Sequence, residues 1–254
     1  MILLHGWPDD VRTFERMVPA VQGAGFQTVV PWLRGFGPTS FLSSETMRSG
    51  EMVAMAQDTL DLADALKLNT FAVVGHDWGA RIAYVLAAVH PERTTRICAM
   101  SVGWQPGELP TPALEQVRKY WYQWFMATDR GSEAVRRDRK ALARIQWETW
   151  APREGEFEIT AKSFENPDWP DITLHSYRVR WGEADKDPRY RDIDRRAKAA
   201  HDSGWRRWRY LGGYNRRKRE TLRRWLPATR AGRSWPFSNA RSARRREQAA
   251  DRFP

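Results

Sequence analysis

Val73-Val74-Gly75-His76-Asp77-Trp78-Gly79-Ala80 is the stretch that decides the fold. An apolar run enters Gly-x-Asp-x-Gly, and a helical pattern over Ala80–His90 follows. This is the spacing of a nucleophile elbow, a sharp strand-to-helix turn that lifts one side chain above a parallel sheet. Two glycines are needed because the turn is strained and the helix packs close to the strand. The lifted residue here is Asp77. A carboxylate nucleophile forms an alkyl ester when it attacks, which suits epoxides or alkyl halides rather than simple esters. A plainer reading makes Asp77 only the N-cap of the helix, a position that Asp favours.

A second motif favours the elbow. Residues 2–8 read Ile-Leu-Leu-His-Gly-Trp-Pro, another strand ending in a His-Gly-x-Pro turn. Beside an elbow, such a turn supplies one backbone N–H, and the residue after the nucleophile supplies another. Together they form an oxyanion hole. The two groups would be those of Trp7 and Trp78.

With these residues the chain resembles the α/β-hydrolase fold family, in its epoxide hydrolase and haloalkane dehalogenase branch. The resemblance rests on His5-Gly6-Trp7-Pro8, Arg34-Gly35-Phe36-Gly37, the elbow Gly75–Ala80 and His90-Pro91-Glu92-Arg93, and runs from Met1 to about Tyr190. It implies a mostly parallel sheet flanked by helices, with a helical cap inserted over the site. It also implies a small apolar organic substrate, water as co-substrate, no metal and no organic cofactor.

The pattern along the chain agrees. Strand-like runs at Ile2–Leu4, Gln27–Val30, Phe71–Val74 and Arg96–Val102 alternate with helical patterns at Thr13–Gly23, Ser49–Leu66 and Ala80–His90. Such alternation argues a parallel sheet covered on both faces. Residues 1–108 therefore read as the hydrolase core. Residues 109–185, helix-rich and dense in aromatics, read as the cap. Residues 186–254 read as a basic, Arg- and Trp-rich tail.

Within the cap, two tyrosines are chemically pointed. The resemblance implies a pair of cap phenols that hydrogen-bond the epoxide oxygen and donate a proton as the ring opens. Tyr122-Gln123-Trp124-Phe125 and Ser176-Tyr177-Arg178 match the two segments. A positioned phenol suits an opening ring, whose developing alkoxide needs a donor. The alternative is that these aromatics are simply the core of the cap. A haloalkane dehalogenase instead needs N–H donors for halide. Trp78 fits either enzyme, so the tyrosines carry the distinction.

Composition sets the remaining limits. The chain has 254 residues and a formal charge of +11. Residues 195–254 hold 19 Lys and Arg against 4 Asp and Glu, while residues 1–194 hold 23 against 27. The basic excess is local, so the average charge does not mark the enzyme-like part as nucleic-acid-binding. No apolar run is long enough for a membrane span. Met1 opens directly on a strand with no signal peptide, and the lone Cys98 excludes an internal disulfide. Both fit a cytoplasmic protein.

The pattern breaks at both ends, so the fold is expected to be incomplete there. Relatives of this type carry roughly two further strands before Ile2–Leu4, and two after the cap that bring an acid and a general-base histidine. Residues 195–254 contain no Val, Ile or Met and three leucines. That composition builds no buried strand and predicts disorder. Each histidine has a structural reading: His5 in the oxyanion turn, His76 before the elbow, His90 at a helix end, His175 in the cap, His201 after no strand. A chain without a placed base would form the ester yet fail to hydrolyse it. Codons exist for Arg233–Ser242 that, read one base later, spell Gly-Val-Gly-His-Phe-Pro. The tail thus resembles a frame-shifted catalytic turn. The competing expectations are an inert tail and a basic arm in which Trp205, Trp208, Tyr210, Trp225 and Trp235 stack on bases.

Overall fold

A computed structural model describes residues 1–104, 113–150 and 155–202. Among them, three parallel strands form the sheet in the order β1 (Ile2–Leu4), β2 (Phe71–His76), β3 (Thr94–Met100). Ile2 pairs with Val73, Leu4 with Gly75, Val73 with Ile97 and His76 with Met100. The run Gln27–Val30, expected as a strand, makes one parallel bridge from Val29 to Ile2. β1 offers only three residues to pair with, and Pro31 has no N–H to extend a ladder.

Side chains alternate across the sheet. Ile2, Leu4, Val73, Ile97 and Ala99 enter one apolar cluster, while Leu3, Val74, Cys98 and Met100 enter another. Apolar residues at both phases of a period-two pattern require cover on both faces. The larger cluster takes in α2 (Met52–Ala65) and α3 (Trp78–Val89). The smaller takes Phe14 from the 3-10 turn Val11–Phe14 and Val18 from α1 (Val18–Gly23). The single helix expected over Thr13–Gly23 is therefore two pieces. Pro19 lies in the first turn of α1, where its missing N–H costs nothing, so a fresh helix starts there.

After the sheet come α4 (Leu114–Lys119), α5 (Trp121–Ala127), α6 (Asp129–Arg137), α7 (Arg139–Trp150), α8 (Glu156–Thr160) and α9 (Trp169–Arg180). The helical run divides where the sequence supplies caps. The Thr128 hydroxyl accepts the Gly131 N–H at 3.0 Å, and Asp138 accepts from Lys140 and Ala141 at 3.1 and 3.0 Å. Four attachments pin the end of this segment to the core. Ser163 donates to Asp10 at 2.6 Å, Asn166 donates to the Gly37 and Thr39 carbonyls at 2.9 Å, Arg48 pairs with Asp168 at 2.8 Å, and Gly50 N–H donates to His175 at 3.0 Å.

The residues from 186 onward, expected as a tail, are described as far as Asp202. Packed structure continues through the turn Pro188–Tyr190 into α10 (Arg191–Asp202). Ile193 and the buried Ala197 pack towards the core, and Arg196 donates to the Val89 carbonyl at the end of α3, at 2.6 Å. Ile193 and Ala197 are four residues apart, one helical turn, an apolar stripe hidden within a basic average. The expected disordered stretch beyond Asp202, the segment Arg233–Ser242 and the tail tryptophans lie outside the described residues. So does the expected core-to-cap boundary at 108/109. No helix among the described residues is long and apolar enough to cross a membrane.

Candidate active site

β2 ends at His76 and α3 starts at Trp78, leaving Asp77 between them at φ 52° and ψ −109°. A side-chain-bearing residue holds such a backbone only when its surroundings fix it. Here they do. A Cβ on Gly75 would overlap the Gly79 backbone, and one on Gly79 would overlap the Leu4 backbone, so strand, turn and helix close-pack. Asp77 N–H donates to the Met100 carbonyl at 3.2 Å, and Gly79 N–H donates to the His5 carbonyl at 3.0 Å. The turn is thus stitched to β3 on one side and to the loop after β1 on the other.

The Asp77 carboxylate makes no capping bond to α3. Its Oδ1 instead accepts the Trp7 backbone N–H at 3.1 Å, across 70 residues of sequence. Gly6 makes that approach possible, since a Cβ there would overlap Asp77 Cβ. The plain N-cap reading of Asp77 requires a bond that this geometry does not contain.

His5 holds the approaching loop. It is fully buried, accepts the Leu33 N–H on Nε2 at 3.1 Å, and its Nδ1 stands 3.0 Å from the Gly6 carbonyl. An acceptor at Nε2 and a donor at Nδ1 define one neutral tautomer. Burial holds its pKa down at about 4, from the usual 6.5.

Above Asp77 lies an aromatic box. The Tyr122 ring stacks on Trp7 with centroids 5.3 Å apart, and Tyr177 meets Trp7 edge-on at 5.5 Å. The two tyrosine rings are 5.6 Å apart. Their exposures are 3% and 4%, so neither phenol faces bulk solvent. The Tyr177 oxygen stands 3.3 Å from Trp78 Nε1, and the Tyr122 oxygen 2.9 Å from Gln123 Nε2. The two hydroxyls are also hydrogen-bonded to each other, Tyr177 donating to the Tyr122 oxygen, so the pair forms one short chain with Trp78 and Gln123. Burial, and after it neighbouring charge including that of Asp77, pushes both hydroxyls above the ordinary tyrosine range.

The structure therefore brings Asp77, Trp7, Trp78, Tyr122 and Tyr177 together. Sequence reasoning missed Gln123 as the partner of Tyr122. A surface groove of about 380 Å³ lies elsewhere, among Arg136–Lys140 and Glu165, and shares no residue with this cluster. Among the described residues, no group of three potential metal-ligating side chains converges.

The match to known proteins agrees with this geometry. The alpha/beta hydrolase fold family matches residues 1–229, beyond the resemblance that ended near Tyr190. An epoxide hydrolase of Caballeronia sordidicola is 32% identical over 102 residues, covering 40% of this chain and 30% of that protein. Epoxide hydrolase B of Mycobacterium tuberculosis is 34% identical over 103 residues, covering 40% and 28%. The match thus spans less than a third of either relative's length. A crystal structure of a candidate epoxide hydrolase from Klebsiella pneumoniae is similar at a TM-score of 0.73 and 35% identity, covering 78% of this chain and 68% of that one. Sheet, strained turn and a match along most of the sequence agree: the chain belongs to the alpha/beta hydrolase fold family.

Proposed function

We propose that this protein opens epoxides through an ester on Asp77. The observation that carries the reading is the Trp7 N–H on Asp77 Oδ1 at 3.1 Å. It holds one carboxylate oxygen and leaves Oδ2 to attack. Oδ2 bonds to an epoxide carbon, the ring C–O bond breaks, and the freed oxygen takes a proton from Tyr122 or Tyr177. The product is a hydroxyalkyl ester. Water then adds to Asp77 Cγ, and the negative charge collects on Oδ1, where the Trp7 and Trp78 N–H groups form the oxyanion hole.

A haloalkane dehalogenase is the second reading. It would use the Trp78 indole N–H to hold halide, and that N–H already faces the Tyr177 hydroxyl at 3.3 Å. Two buried phenols paired with each other, both feeling the Asp77 charge, favour an epoxide. The substrate class is read from this site and from the epoxide hydrolases that the chain resembles. A nucleic-acid-binding remnant is a third reading, which rests on the basic tail alone.

Among the described residues, no histidine is placed to act as base in the water step. His5 and His175 have both ring nitrogens engaged by backbone groups. His90 stands at a helix end beside Glu92, and His201 stands edge-on to Trp104. The ester is accordingly expected to persist. Intact-mass analysis after incubation with styrene oxide tests the reading. An adduct of the whole epoxide, absent in Asp77→Asn, is expected. Bromide release from 1-bromobutane without an epoxide adduct would transfer the assignment to the dehalogenase.

A further inference from the structure

Trp7 and Asp10 lie three residues apart on the loop after β1, and each reaches a different part of the molecule. The Trp7 N–H holds Asp77 Oδ1 at 3.1 Å. The Asp10 carboxylate, fully buried, holds the helical segment above. It accepts the Arg12 N–H at 2.9 Å, the Arg12 guanidinium, and the Ser163 hydroxyl at 2.6 Å. The last distance is that of a charge-assisted O–H···O⁻ bond, roughly twice as strong as a neutral one. Ser163 is also buried, and its carbonyl accepts the Gly37 N–H at 2.9 Å. Backbone and side chain are both fixed, so the hydroxyl is aimed.

Ser163 sits in the 3-10 turn Ala161–Glu165, just ahead of α9, the helix that carries Tyr177. α9 returns to the same loop. Trp169 and Tyr177 both pack on the Trp7 ring, with centroids 6.5 and 5.5 Å away. The Tyr177 oxygen then meets Trp78, the residue after Asp77. Asp77, Trp7, Asp10, Ser163, α9, Tyr177 and Trp78 thus close a circuit. Apolar ring contacts alone are non-directional and would let α9 slide on the loop. A buried carboxylate is a costly way to hold two segments together, since an apolar pair does so without desolvating a charge. What the Asp10–Ser163 bond adds is a fixed distance between the loop that holds Asp77 and the helix that carries a phenol.

We propose that Asp10 and Ser163 are positioning residues for the reaction at Asp77. Their bond sets how α9 sits on the Trp7 loop, and so where the Tyr177 hydroxyl stands relative to the nucleophile. This rests on reading Asp77 as the nucleophile and the paired phenols as the proton source. Neither residue touches the epoxide; both act through Tyr177.

The test follows Asp77 ester formation by intact mass, in the full chain, over a range of styrene oxide concentrations. Ser163→Ala removes one hydroxyl and leaves Asp10 its Arg12 partner. It is expected to lower the maximal rate on the order of tenfold, as a displaced proton donor does, with the half-saturating concentration unchanged. In a Tyr177→Phe background the same change should cost nothing further, because the group it positions is gone. Thr128→Ala, which removes the α6 cap, is the control for lost stability and should keep the full rate. A maximal rate unchanged in Ser163→Ala, or lowered by the same factor with and without Tyr177, would overturn the proposal. If the unaltered chain takes no label, the nucleophile reading fails and hydrogen exchange decides the coupling separately. The Trp7 amide, bonded to Asp77, and the Ile172 amide of α9, bonded to the Asp168 carbonyl, should both exchange about tenfold faster in Ser163→Ala, with β3 unchanged. Unchanged exchange at either amide would overturn the coupling of loop and helix.

Discussion

At the scale of the residue, the proposed reactivity of Asp77 rests on geometry. Its φ of 52° is paid for by three glycines, and its Oδ1 is held by an amide 70 residues distant. In the proposed reaction the paired phenols supply the proton, their oxygens held by Trp78 and Gln123. Replacing both, Tyr122→Phe with Tyr177→Phe, is expected to slow ester formation by about 10²–10⁴, the usual worth of a positioned proton donor. Single replacements should cost less, because either phenol reaches the same oxygen. Both hydroxyls titrate above the usual 10, so their donor forms persist as pH rises to 10. Labelling rates measured from pH 8 to 10 should show no alkaline fall. A decline centred near pH 9 would remove the tyrosines as donors. His5 offers a stability test with the opposite pH direction. The unfolded chain takes its proton below 6.5, and the folded one only below about 4. The contribution of His5 is therefore intact above pH 6.5, is lost as pH falls from 6.5 to 4, and levels below that. The loss approaches about 3 kcal/mol. Urea midpoints at pH 7 and 4.5 report it, and equal midpoints would contradict the burial of a neutral His5.

At the scale of elements, the sequence was readable where a local rule had no competitor. β1, β2 and β3 and the helices α2 and α3 follow from apolar runs and helical spacing, with ends misplaced by a few residues. Gln27–Val30 was not readable as a single bridge, because its composition is that of a strand while its only partner is three residues long. The site was legible as far as motifs reach: Asp77, Trp7, Trp78 and, through matching contexts, Tyr122 and Tyr177. Gln123 was hidden because a polar residue beside a site tyrosine reads as an ordinary helix surface position, and only the fold buries it against the Tyr122 oxygen. α10 was hidden by charge. Arg191–Asp202 is strongly basic and acidic by turns, yet Ala197 is 2% exposed. An Ala197→Glu substitution would press a carboxylate against α3 with no partner. It is expected to destabilise the protein by about 2–4 kcal/mol, visible as a lowered thermal midpoint. A silent Ala197→Glu would mean that α10 does not dock on α3.

For the whole molecule, the proposed reaction sets an attack for which the described residues supply the groups against a hydrolysis for which they supply no placed histidine. Attack needs only Asp77, the Trp7 N–H and a phenol, and these converge within one aromatic box. Release needs a base beside Cγ, and a general base acts only within hydrogen-bond reach of the water it activates. Of the five histidines in the chain, His5 and His175 are committed to backbone groups by both nitrogens. His90 and His201 are engaged by Glu92 and Trp104, at the end of α3 and on α10. His76 Nδ1 is buried without a partner. The two steps should therefore separate in time. With a reactive epoxide in excess, ester is expected to rise to about one equivalent per chain and then remain, with diol formed at no more than that amount. Quenched samples read by intact mass and by diol chromatography measure both quantities together. Continued diol release with no standing adduct would show that a base operates after all, and His201→Ala and His76→Ala would then identify which.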